Sequence, residues 1–115
     1  MSAVSGRHAD PSVLTRLRDV IESRRGGDPQ TSYTARLLAA GREGAAAKVT
    51  EEAAETAAAA LHESTARLAA ESADLLYHLL VLWAEAGLDS ADVWAELARR
   101  EGTSGLAEKA ARGKD

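Results

Sequence analysis

An all-α bundle of four or five helices is the fold this sequence predicts, on three observations. The 115-residue chain is rich in Ala, Leu, Glu and Arg, lacks Phe, and scatters its Val and Ile too thinly for a sheet. Apolar residues recur at helical spacing in several separate segments. Most of the Gly and Pro falls at the joints between those segments. The length suits a single domain.

The elements follow in order. Residues 1–9 are small and polar and are expected to be disordered. Asp10-Pro11 reads as a cap followed by proline at a first helical position. Leu14, Leu17, Val20 and Ile21 then form one apolar stripe, ending near Arg24-Arg25. "GGDPQ" (26–30) is a loop of breakers. Ser32 caps a short second helix with Leu37 and Leu38 as its core residues; Gly41 should stop it, and Gly44 marks a second weak point. From Ala45 to about Glu63 the chain reads as one long Ala-rich helix. Residues 66–86 form the next, closed by Gly87. Asp89 caps a fifth helix whose Val93, Trp94 and Leu97 should point inward. The domain is thus expected over 10–101, with 102–115 a polar tail able to hold a short helix, "LAEKAAR".

Composition excludes several classes. A net charge of −4 offers no basic face for nucleic acid. The absence of Cys rules out disulfides and thiolate metal sites. The apolar run Leu75–Ala84 falls far short of the roughly 20 residues of a membrane span, and no apolar stretch at the N-terminus resembles a signal peptide. A cytoplasmic protein with no membrane partner is therefore expected.

"ESADLLYHLLVLWAEAG" (71–87) poses the chemical question. Glu71, Asp74 and His78 share a stripe roughly 60° wide on a helix that is otherwise nearly all apolar. The preceding helix carries "KVTEEAAE", so Lys48, Glu51, Glu52 and Glu55 share one face. Glu52 and Glu55 form E-x-x-E, and Glu71 and Asp74 form E-x-x-D. An antiparallel turn near 64–67 would set the pairs opposite each other, with a small mismatch in register. Carboxylates gathered in a partly buried cleft repel unless cations neutralise them. Mg²⁺ or Mn²⁺ suits an all-oxygen donor set, and such an ion implies phosphate chemistry. No Glu-x-x-His is present, against a di-iron centre. Each acidic pair alone also reads more simply: Glu51, Glu52 and Glu55 as a solvated face, Glu71 and Asp74 as caps or partners of Arg67.

"SYTARLLAAG", "KVTEEAAE", "ESADLLYHLLVLWAEAGLDSADVWAELARR" and "SGLAEKAAR" together resemble the phosphoribosyl-ATP pyrophosphohydrolases. These belong to the all-α NTP pyrophosphatase (MazG-like) superfamily, whose mark is E-x-x-E followed by E-x-x-D. The resemblance runs from about Leu14 to Arg112. It implies hydrolysis of 1-(5-phosphoribosyl)-ATP between its α and β phosphates, giving phosphoribosyl-AMP and pyrophosphate, the second step of L-histidine biosynthesis. It implies that Glu52, Glu55, Glu71 and Asp74 hold Mg²⁺, and that Glu51 binds a further ion or orients the attacking water. Lys48 becomes a phosphate contact or a salt-bridge partner of Glu52. Arg24, Arg25 and Arg36 become candidate phosphate contacts, and Ser32, Tyr33 and Thr34 candidates to shape the nucleotide pocket, with Ser32 equally a plain helix cap. His78 reads as a core histidine or the partner of an acid, and Tyr77, Trp83 and Trp94 as core. The lack of Cys also sets aside a fused, metal-binding cyclohydrolase, so a free-standing protein is expected. A nearly all-apolar fourth helix should pair with a second copy in a homodimer. Two competing readings fit the same residues: a house-cleaning pyrophosphatase of the same superfamily acting on dNTPs, and a non-catalytic helical dimerisation module.

Overall fold

The computed structural model describes residues 8–113, so most of the expected disordered segment 1–9 lies outside the described residues. Within them the chain is all-helical, with six helices: α1 (Val13–Ser23), α2 (Tyr33–Ala39), α3 (Gly41–His62), α4 (Thr65–Ala86), α5 (Ser90–Arg100) and α6 (Gly105–Arg112). Five of these, α1–α5, fall within the expected domain, and the tail forms the short sixth helix over "LAEKAAR". Ser104 caps α6 by accepting from the Ala107 N–H. Glu108, buried on α6, takes Arg99 at 2.8 Å and Arg100 at 3.6 Å, which ties the tail to α5.

Local signals set most of the boundaries. Ser32, Ser64 and Asp89 cap α2, α4 and α5 by accepting backbone N–H groups. Gly87 ends α4 at φ +70°, a left-handed conformation that a Cβ disfavours. At the chain's start, α1 begins at Val13 rather than Pro11. The Asp10 carboxylate instead accepts the Ser12 N–H at 2.9 Å, in a turn leading into the helix. Gly41 was expected to end α2 with the next helix starting at Ala45. Its φ of +79° does bend the chain, but α3 starts there and runs straight through Gly44.

The frame is an antiparallel hairpin of α3 and α4, 22 residues each and so about 33 Å long. Alanine on α3 makes the close approach possible: Ala45 and Ala59 are almost wholly buried, and neither holds α4 away. α1 lies against α4, and α2 packs on both hairpin helices. The core gathers Ile21, Leu37, Leu38, Ala45, Leu80, Val81 and Ala84, with Ile21, Leu80 and Val81 fully buried. The expectation for α5 is met only in part. Trp94 packs edge-on against Trp83 of α4 at 5.7 Å, whereas Leu97 is exposed.

Candidate metal and phosphate site

The turn between the hairpin helices consists of Glu63 and Ser64 alone. Glu52 and Asp74 stand at nearly equal distances from it, as do Glu55 and Glu71, so the register mismatch expected from the sequence disappears. Thr56 fixes this alignment. Its hydroxyl lies 2.7 Å from the Glu52 carbonyl on its own helix and 3.1 Å from the Glu71 carbonyl across the hairpin.

The carboxylates converge. Glu52, Glu71 and Asp74 each offer an oxygen within 4.8 Å of the others, and so do Glu51, Glu52 and Glu55. Glu52 belongs to both groups, on α3 and facing α4. The site therefore lies along the groove where α3 meets α4, with Glu52 and Glu71 buried at its base and Glu51, Glu55 and Asp74 exposed at its edge.

Two cations stand beside it. Lys48 Nζ lies 3.2 Å from Glu51 and 3.8 Å from Glu52, and its hydrogen bond to Glu51 raises its pKa. Arg67 pairs with Glu71 Oε2 and, at 3.4 Å, with Glu63. Glu71 Oε1 is left buried with no hydrogen-bond partner. An unpaired carboxylate oxygen inside protein is costly unless a donor or cation meets it. The donor set is all oxygen, partly buried and rich in negative charge, which suits a hard divalent cation.

An aromatic wall adjoins the acids on the α2 side. Tyr33, half-exposed, stacks on Tyr77 with ring centroids 6.4 Å apart and planes inclined by 18°. His78 meets Tyr77 edge-on at 5.1 Å and Tyr33 at 6.2 Å. The Tyr77 hydroxyl shares a 2.5 Å hydrogen bond with Thr34. His78 is buried, and its Nδ1 has no partner. Burial lowers its pKa, against the opposing pull of Glu52 and Asp74. Tyr77 packs against the core, as the sequence predicts, and the docking of α2 on α4 brings Tyr33 to it.

The other candidates sit elsewhere. Arg25 pairs with Glu22 at 2.6 Å and Glu85 at 2.7 Å and donates to the Ala84 carbonyl, at the end of α4 away from the acids. Arg36 turns back to the Pro29 carbonyl at 3.2 Å. Arg24 is exposed at the C-cap of α1. The Ser32 hydroxyl is occupied in capping α2. A groove of about 490 Å³ lies apart from the acids, between α1 and the α4–α5 turn.

Residues 14–101 match the sequence profile of the family described as phosphoribosyl-ATP pyrophosphohydrolase. Several relatives named phosphoribosyl-ATP pyrophosphatase are similar over nearly the whole chain. The protein of Paramagnetospirillum magneticum is 58% identical over 105 residues, covering 91% of this chain and 96% of its own. That of Azospirillum brasilense is 57% identical over 101 residues, 88% and 91% of the two chains. That of Rhodospirillum rubrum is 57% identical over 104 residues, 90% and 89%.

Proposed function

The chain belongs to the phosphoribosyl-ATP pyrophosphohydrolase family, and on that premise we propose that it hydrolyses 1-(5-phosphoribosyl)-ATP to phosphoribosyl-AMP and pyrophosphate in histidine biosynthesis. The observation that carries the chemistry is the convergence of Glu52, Glu71 and Asp74 from two helices, with Glu51 and Glu55 on the rim. Glu52, Glu55, Glu71 and Asp74 are the residues that would hold Mg²⁺, with Mn²⁺ able to replace it. The ion, when bound, neutralises charge on the phosphate oxygens and on the departing pyrophosphate.

The remaining work falls to the protein's own groups. Glu51, exposed at the rim, orients the attacking water and takes up its proton. Lys48, held 3.2 Å from Glu51, stands where it can also reach a phosphate oxygen. The buried floor fixes the Glu52 and Glu71 carboxylates without rearrangement during reaction, the kind of preorganisation that dominates such catalysis. As the oxygen of water bonds to phosphorus, the α–β bridge breaks and pyrophosphate leaves in line.

A homodimer in the cytoplasm completes the proposal. It is supported by apolar side chains that a single copy leaves exposed, among them Leu76 of α4 at 45% and Leu97 of α5 at 53%. No helix of the described residues is long and apolar enough to cross a membrane.

The test compares pyrophosphate release from phosphoribosyl-ATP with release from a panel of dNTPs, with and without Mg²⁺. Strong preference for phosphoribosyl-ATP, abolished by Asp74→Asn with folding intact, is expected. Equal turnover of the dNTPs would move the protein to the house-cleaning branch of the superfamily.

A further inference from the structure

The groove between α3 and α4 has two unlike ends. Going along α4 from Glu71 toward its C-terminus, Asp74 is followed one turn later by Tyr77 and His78, with Tyr33 laid against them. Going the other way, one turn brings Arg67; the second cation, Lys48, lies on α3 between the wall and the acids, with its ammonium held by Glu51 and Glu52. From Arg67 to Tyr77 is about 15 Å along the helix axis at 1.5 Å per residue, comparable with the reach of an extended nucleoside triphosphate. The acids lie between.

Aromatic surface is scarce in this protein: two Tyr, two Trp and no Phe. Trp83 and Trp94 are packed on each other at the α4–α5 contact. Only Tyr33 and Tyr77 are left to adjoin the acids, and both are at one end. Tyr33 is half-exposed, so one ring face is backed by Tyr77 while surface remains for another flat group. On the same side the buried His78 Nδ1 has no partner. At the opposite end, Arg67 is held by Glu71 and Glu63 through its Nη2 and Nε. A guanidinium carries five N–H donors in a rigid fork, so two anchored contacts leave others free for phosphate oxygens. An arginine fixed in advance loses little freedom in binding them.

We propose that substrate lies in this groove in one direction: the purine base on the Tyr33–Tyr77 wall, the scissile α–β linkage over the carboxylates, and the departing pyrophosphate at Arg67. This direction rests on the hydrolase reading above and adds to it a base platform and a pyrophosphate anchor. Every base has a π-face, so the wall supplies binding, while the order of wall, acids and cation sets the orientation.

The experiment measures binding of two probes, AMP and pyrophosphate with Mg²⁺, by titration calorimetry. The proteins are the wild type, Tyr33→Ala and Arg67→Ala, with Tyr33→Phe and Arg67→Lys as conservative controls. Tyr33→Ala should weaken AMP at least tenfold and pyrophosphate less than twofold. Arg67→Ala should do the reverse, and Tyr33→Phe should keep AMP affinity. Both side chains are about half-exposed, so the fold should survive, and thermal melting checks this. If both variants weaken the same probe, if the pattern is exchanged, if neither variant changes either affinity, or if the wild type binds neither probe, the direction is overturned. Wild-type turnover of phosphoribosyl-ATP is measured alongside. Turnover without the split defeats the direction alone, whereas absent turnover defeats the hydrolase reading.

Discussion

Replacing Glu52 by Gln should reverse the stability order of mutant and wild type when Mg²⁺ is added. Glu52 is the one carboxylate shared by both acidic groups, with oxygens within 4.8 Å of its neighbours. At an effective dielectric of about 20, two like unit charges about 4.8 Å apart repel by about 3 kcal/mol. Exposed partners and salt screen much of this. The mutation also loses the 3.8 Å attraction to Lys48, worth under about 1 kcal/mol for a pair with one wet partner. The balance leaves metal-free Glu52→Gln about 1 kcal/mol more stable than wild type, or about 4 °C in melting temperature for a chain of this size. With Mg²⁺ at a hundred times its dissociation constant, the wild type gains about 2.7 kcal/mol by linkage, and the mutant gains little. Calorimetric melting in EDTA and in Mg²⁺ reads both effects. A mutant that is less stable in EDTA and still rises with Mg²⁺ would refute the reasoning, since Glu52 would then be neither a source of strain nor a metal ligand.

Three further outcomes follow from the packing and the ion pairs. Leu80→Ala, at a position only 1% exposed, should cost about 2–5 kcal/mol in denaturant unfolding, as other large-to-small core changes do. Gly87→Ala places a Cβ at φ +70° and should cost about 1 kcal/mol in the same assay, with no change in metal affinity. Hydrogen bonds from Arg99 and then Arg100 hold the Glu96 pKa at about 2, below its ordinary 4.5. A depressed carboxylate stabilises above its unfolded pKa, and the stabilisation is lost as pH falls toward the folded value. Wild-type melting temperature should therefore fall more steeply than that of Glu96→Gln between about pH 4.5 and pH 2.

The hairpin and its acids were legible because they depend on local rules. The spacing of Glu52, Glu55, Glu71 and Asp74 follows from helical periodicity, and Gly87 marks the end of α4 by capping chemistry, whereas the Ser64 cap at its start emerges only from the fold. The register was misjudged by a few residues, because the turn was set at 64–67 rather than at Glu63–Ser64. What the sequence hid is what tertiary docking decides. The resemblance marks Tyr33 as a pocket candidate, but nothing in "SYT" indicates that α2 will lie against Tyr77 and His78, so only the fold shows the pairing that makes the wall. Arg25 and Arg36 looked free to bind phosphate, yet each is spent on carboxylates or carbonyls that are distant in sequence or around a loop. Arg67 was read as a possible salt-bridge partner and is one, but its place at the end of the groove needed the fold. Gly41 shows the converse limit: a residue that bends the chain need not end its helical course, since α3 restarts at once.

The proposed hydrolysis requires a divalent ion held between α3 and α4. Anomalous diffraction from crystals grown with Mn²⁺ tests it most directly. A peak is expected within coordination distance of the Glu52, Glu71 and Asp74 carboxylates. Saturating Mn²⁺ in an active preparation with no peak there, or with its only peak at another surface, would contradict it.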